Sequence, residues 1–180
     1  MNARTRTAVL LVALAVALPA SALAATPSAD LLRCQKKIET QARAFAKLVV
    51  KKITRCSEKI DACKLASEID GDDLMSCVSA ASPLCATADG VLDTNRTRRK
   101  AAIDNTCAAI PLTDIEPFIG SLGFVNVAAT CMTASTTGLT DCLLDTMRCN
   151  AERDVFRSDP RAQDSLTTAG VAASFPCTAP

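Results

Sequence analysis

Residues 28–63 read SADLLRCQKKIETQARAFAKLVVKKITRCSEKIDAC, and the spacing within this run decides the fold. Its apolar or small residues fall at Leu31, Cys34, Ile38, Ala42, Phe45, Val49, Ile53, Cys56, Ile60 and Cys63, in steps of three or four. That is the period of an amphipathic α-helix, and neither Pro nor Gly interrupts it. At about 100° per residue, every one of these positions lies within roughly 60° of Ile38. Arg43, Lys47, Lys51 and Arg55 fall at roughly 140° to 260°, on the opposite side. Ser28 stands where an N-cap belongs. The Cys residues of the stripe cannot pair with one another. At about 1.5 Å of rise per residue, Cys34 and Cys56 are ~33 Å apart and Cys56 and Cys63 ~10 Å, whereas bridged Cα atoms lie within about 7 Å. Each needs a partner on another element.

The spacing supplies those partners. Cys85 and Cys107 are separated by 22 residues, as are Cys34 and Cys56. Facing residues of an antiparallel pair share a constant index sum. Cys34 with Cys107 and Cys56 with Cys85 both give 141, and Cys63 with Cys77 gives 140. The common centre is Asp70-Gly71, inside the turn-forming run from Glu68 to Asp73. A helical hairpin with nested Cys34–Cys107, Cys56–Cys85 and Cys63–Cys77 bridges follows. Pro83 and Gly90 lie on the returning limb, which predicts a short helix over Leu74 to Ala81, a break, and a longer helix ending near Cys107.

Beyond the hairpin the pattern is less determined. The connector from Ile110 to Gly123 holds Pro111, Pro117, Gly120 and Gly123 among apolar residues, and reads as a crossing with one helical turn. Phe124 to Ala134 and Leu139 to Phe156 read as helices around a turn at Ser135 to Gly138. Cys131 and Cys142 are nearly symmetric about that turn, which pairs them and leaves Cys149 for Cys177. The rival is Cys131–Cys149 with Cys142–Cys177. Asp159-Pro160 opens a final helix and Gly170 closes it. The fold class is therefore all-α: a disulfide-stapled antiparallel helical hairpin over residues 25–110, packed on a smaller C-terminal helical unit over residues 111–180, the two forming one domain.

Residues 1–24 read as a secretory signal peptide. Arg4 and Arg6 precede an apolar run from Ala8 to Ala17, and Ala22-Leu23-Ala24 offers small residues before a cleavage point at Ala25. The run is shorter than the ~20 apolar residues of a membrane span, so no transmembrane segment is expected after cleavage. Export to the periplasm or the medium makes the 10 Cys structural rather than redox-active or metal-binding. Aromatic residues are only 3% of the chain, so cystine must help build the core.

The chemistry the chain lacks is informative. It has no His, Trp or Tyr, and no C-x-x-C. Ser-His-Asp and Cys-His catalysis, His-ligated zinc and thioredoxin-type exchange are excluded. No cofactor, metal or catalytic residue is expected. Glu68, Asp70, Asp72 and Asp73 miss the EF-hand spacing and read as a turn. Asp141, Asp145, Glu152 and Asp154 read as solvent-exposed charges of a helix rather than as a paired acid and base.

Charge supplies the one surface of interest. The segment from Arg33 to Lys59 has nine basic residues and two acidic ones, and Arg96, Arg98, Arg99 and Lys100 form a second cluster. Arg43, Lys47, Lys51 and Arg55 with that second cluster make a candidate surface for a protein or other anionic partner. Nucleic acid is not expected, because no aromatics interleave with the charges.

Cys34-Gln-Lys-Lys-Ile38 with the basic helix to Cys56, Gly123-Phe-Val-Asn-Val-Ala-Ala-Thr-Cys131, and the later Cys142 and Cys149 resemble a group of uncharacterised cysteine-rich secreted helical proteins of environmental bacteria. The resemblance implies an exported helical protein and carries over no functional residue. Together these readings point to an exported, non-enzymatic structural or protein-interaction module. The alternative is a carrier of an apolar ligand or lipid in a cavity between the helices.

Overall fold

The structure, a computed structural model, describes residues 28–115, 135–175 and 177. The signal-peptide reading, the helix expected over 124–134 and Cys131 lie outside the described residues.

Helix α1 spans Ala29–Asp70. The Ser28 hydroxyl accepts a hydrogen bond from the Leu31 amide at 3.1 Å, which caps the helix as its sequence suggests. Gly71 ends it in the left-handed conformation, φ 72°, where a side chain would be strained. Every residue of the apolar stripe from Leu31 to Cys63 is buried. Asp73 then caps α2, Leu74–Cys107, by accepting from the Met75 amide at 3.1 Å. The turn is thus centred where the index sums put it. The bridges Cys34–Cys107, Cys56–Cys85 and Cys63–Cys77 join the limbs as expected.

The break expected on the returning limb is absent. Helix α2 runs uninterrupted through Pro83 and Gly90. A proline in a helix removes the bond to the carbonyl four residues earlier. That carbonyl belongs to Ser79, and both Ser79 and Pro83 face solvent, where water can replace the lost donor. Buried Ala81, Cys85, Ala88 and Leu92 keep the same helix face on α1, and bridges at Cys77 and Cys85 pin the backbone on both sides of the proline. Local propensity loses here to tertiary packing and covalent linkage.

A single turn, α3, Leu112–Ile115, follows, with Ile110 and Ile115 buried against the hairpin. Helix α4 spans Thr136–Ser158 and α5 spans Ala162–Thr168. A 3-10 turn, Ala172–Ser174, precedes Cys177. The turn expected at Ser135 to Gly138 is instead the start of α4. The Ser135 hydroxyl accepts from the Gly138 amide at 3.1 Å, and an N-cap makes a helix start out of residues that otherwise favour a turn. The final helix begins at Ala162 rather than at Pro160, because the Asp159 carboxylate ties the Arg161 amide into a turn at 3.1 Å. Gly170, φ 74°, closes it as expected, with Gly170 N–H donating to Thr167 and Val171 N–H to Leu166.

Three long helices therefore pack together. Arg96 of α2 meets Asp141 and Asp145 of α4, and Arg148 meets Asp89 and Asp93, so α4 runs antiparallel to α2. It runs parallel to α1. Helix α5 packs on the second half of α1, where the buried Ser57 hydroxyl donates to Asp159 at 2.9 Å and Ser165 bonds to Asp61. The bridge Cys149–Cys177 holds the C-terminus on α4, which removes the rival pairing. Cys142 is disulfide-bonded too. Paired cysteines throughout the described chain fit an oxidising compartment. No helix among the described residues is long and apolar enough to cross a membrane.

Candidate functional site

The two basic clusters of the sequence meet different fates. Arg96, although basic and polar, is turned inward onto α4. Its guanidinium donates to Asp145 at 2.7 and 2.9 Å and lies 3.0 Å from Asp141. The hydrogen bond to Asp145 is the main reason its pKa is raised. Lys100 bonds to Asp104 at 2.6 Å, Asp141 at 3.3 Å and the Thr137 carbonyl at 3.2 Å. Burial alone would lower its pKa, but these acids outweigh burial and raise it. Arg99 donates to Gln41 of α1 at 3.0 Å, and burial with the neighbouring Arg98 lowers its pKa. Arg98 alone of this cluster is exposed without a partner among the described residues. This second cluster is mostly an internal clamp between α2 and its neighbours.

Of the acids of α4 expected to face solvent, Asp154 does so without an ion pair among the described residues, whereas Asp141, Asp145 and Glu152 are engaged by cations. Glu152 is fully buried, not exposed. The reason is its neighbours: Arg148 donates to it at 2.8 Å and the Cys177 amide donates at 3.0 Å. Arg148 also reaches Asp89 at 2.8 Å, Asp93 at 3.2 Å and the Ser174 carbonyl at 2.6 Å. Burial opposes its charge, yet the bonds to Glu152 and Asp89 raise its pKa overall. A buried carboxylate is tolerated when its charge is paired and its oxygens are filled. This network locks α4 to α2 and to the C-terminus. Asp141 and Asp145 hold Arg96. Among the described residues no group of three or more acids or cysteines is arranged to hold a metal ion.

The first cluster behaves differently. Arg43, Lys47, Lys51 and Arg55 are all exposed along α1. Arg43 pairs with Glu39 one turn before it. Lys47, Lys51 and Arg55 make no ion pair among the described residues. At four-residue spacing these cations form a row about 18 Å long, at about 1.5 Å of rise per residue.

No protein-family model, curated protein or solved structure matches this chain.

Beside the cationic row runs a groove between α1 and α4. Two adjoining depressions of about 550 Å³ each share Arg43, Ala46 and Met147. The floor is apolar: Ile38, Ala42, Ala46 and Val50 come from α1, and Leu143, Met147 and Ala151 from α4. Each set is spaced by four residues, so each is one inclined row on its helix. Val50 is 38% exposed although its neighbour Val49 is fully buried. The far rim, on α4, carries Asn150 and Asp154 and no basic residue. The described depressions open to solvent and are surface grooves. The sequence reading missed the α4 half of this floor. The signal was present, since Leu143, Met147 and Ala151 repeat every four residues beside the Cys142–Cys149–Phe156 stripe.

Proposed function

We propose that the chain is an exported, non-enzymatic protein-interaction module whose working surface is the basic face of α1. The observation that carries this reading is that Lys47, Lys51 and Arg55 are exposed and unpaired among the described residues, whereas Arg96, Lys100 and Arg148, the cations that join α2 and α4, are neutralised by acids. Charges held without an internal partner keep their attraction for an external one. The disulfide frame supports the export half of the proposal, since it fits an oxidising compartment. The resemblance to exported bacterial helical proteins points the same way.

The test is binding of fluorescent polyglutamate at several salt concentrations. The wild type should bind, and affinity should fall as salt rises. The triple variant Lys47→Glu, Lys51→Glu, Arg55→Glu should lose at least tenfold in affinity, while Arg98→Glu on α2 should match the wild type. Loss of binding in both variants alike, or in neither, would refute the assignment to α1. Export is read separately by mass spectrometry of the secreted chain. A mature N-terminus at Ala25 and a mass ten protons below the reduced form are expected; an intact Met1 or free thiols would overturn that part.

A further inference from the structure

We infer that the groove between α1 and α4 is the docking seat for one amphipathic helix of a partner protein, apolar on one face and acidic along one edge. The inference rests on the reading of α1 as an interaction surface and specifies its partner. Three features of the groove lead to it. Its floor is built at Ala42 and Ala46 from small residues, which let a helix backbone come close. Its cations repeat every four residues over about 18 Å, the length of some three helical turns. A single anionic headgroup would use one of them, whereas acids at helical spacing along a partner face the whole row. Its rims differ in charge: Lys47, Lys51 and Arg55 stand on one side and Asp154 on the other. That asymmetry fixes which way the incoming helix is rotated, with acids toward α1 and a neutral or basic edge toward α4.

The probe is a labelled 18-residue peptide with Leu at helical spacing on one face and Glu along one flank. Two companions carry Lys in place of those Glu residues, or scramble the order so that no apolar face remains. Fluorescence anisotropy against the disulfide-intact protein is the readout. The Glu-flanked peptide should bind at least tenfold more tightly than either companion, and should gain helical circular dichroism on binding. Val50→Lys gives the sharpest arm. It adds a positive charge while blocking the apolar floor, so it should weaken the Glu-flanked peptide by at least fivefold. Val50 is partly exposed, and the variant's unchanged melting temperature serves as the folding control. Tighter binding to Val50→Lys, or equal binding of the scrambled peptide, would overturn the groove while leaving a charged face intact. Failure of both peptide and polyglutamate would overturn both readings. Binding of a long-chain fatty acid that Val50→Lys abolishes, together with no measurable affinity for the Glu-flanked peptide, would assign the floor to a small amphiphile and overturn the helix.

Discussion

Removing the Cys34–Cys107 bridge should destabilise the protein more than removing either bridge nested inside it. The closed loops span 73, 29 and 14 residues. Each cross-link removes about 2.1 cal/mol/K plus 1.5R times the logarithm of the loop length from the entropy of the unfolded chain. Nesting shortens the loops that count. With Cys56–Cys85 retained, the outer bridge closes an effective loop of about 45 residues and contributes about 4 kcal/mol. Losing the middle bridge costs about 3 kcal/mol, because the outer loop grows and recovers part of the effect. Losing the innermost costs about 2.5 kcal/mol for the same reason. Together the nested bridges contribute about 10 kcal/mol, against a typical net stability of about 5–15 kcal/mol. Double Cys→Ala variants at each pair, unfolded in urea and followed by helical circular dichroism, measure the order. Cys34, Cys107, Cys56 and Cys85 are equally buried and Cys77 is the most exposed of the six, so lost packing does not favour the inner pair. An inner pair that costs as much as the outer one would refute the chain-entropy argument. It would mean that the unfolded hairpin keeps its limbs together without the bridges. Full reduction should unfold the chain at room temperature, and an unchanged melt would refute the same reasoning.

Glu152→Ala takes one of three acid partners from the mostly buried Arg148 and leaves the Cys177 amide without its acceptor, so it should cost about 1–3 kcal/mol in the same urea assay. Glu152→Gln, which keeps an acceptor, should cost clearly less. Gly90→Ala should stabilise α2 by about 0.5–1 kcal/mol, since Gly90 sits in a helix with open space around a new Cβ. Its melting temperature checks this, and a drop would mean that the local backbone is not regular helix. Lys100 has a pKa raised in the folded state, so its contribution is complete below about pH 10.4 and is lost as pH climbs through the folded value. The wild-type melting temperature should therefore fall more steeply above about pH 10.4 than that of Lys100→Met.

The stripe from Leu31 to Cys63 shows how much one helix discloses. Each residue needs only its own spacing to declare which face is buried, and all of them are buried. The hairpin is almost as legible, because a cysteine pair is a distance constraint written into the chain and the index sums locate the turn at Gly71. Pro83 marks the limit of that local logic. Its propensity argues for a break, but solvent on one side and two bridges on the other outweigh it.

What the sequence determined by itself was the helical class, the α1 stripe, the cap at Ser28, the turn at Gly71, and the nested bridges. These are local periodicities, or pairings fixed by geometry along one line. What only the tertiary structure decided was the use of each charge. Arg96 and Asp145 lie 49 residues apart, and Arg148 and Asp89 lie 59 apart. Periodicity shows that a helix has a polar face, but not which neighbour that face meets. The rotation and direction of α4 against α1 and α2 are set by packing over the whole bundle. Those two quantities turned Arg96 and Lys100 inward, buried Glu152, and left Lys47, Lys51 and Arg55 facing out beside an apolar groove.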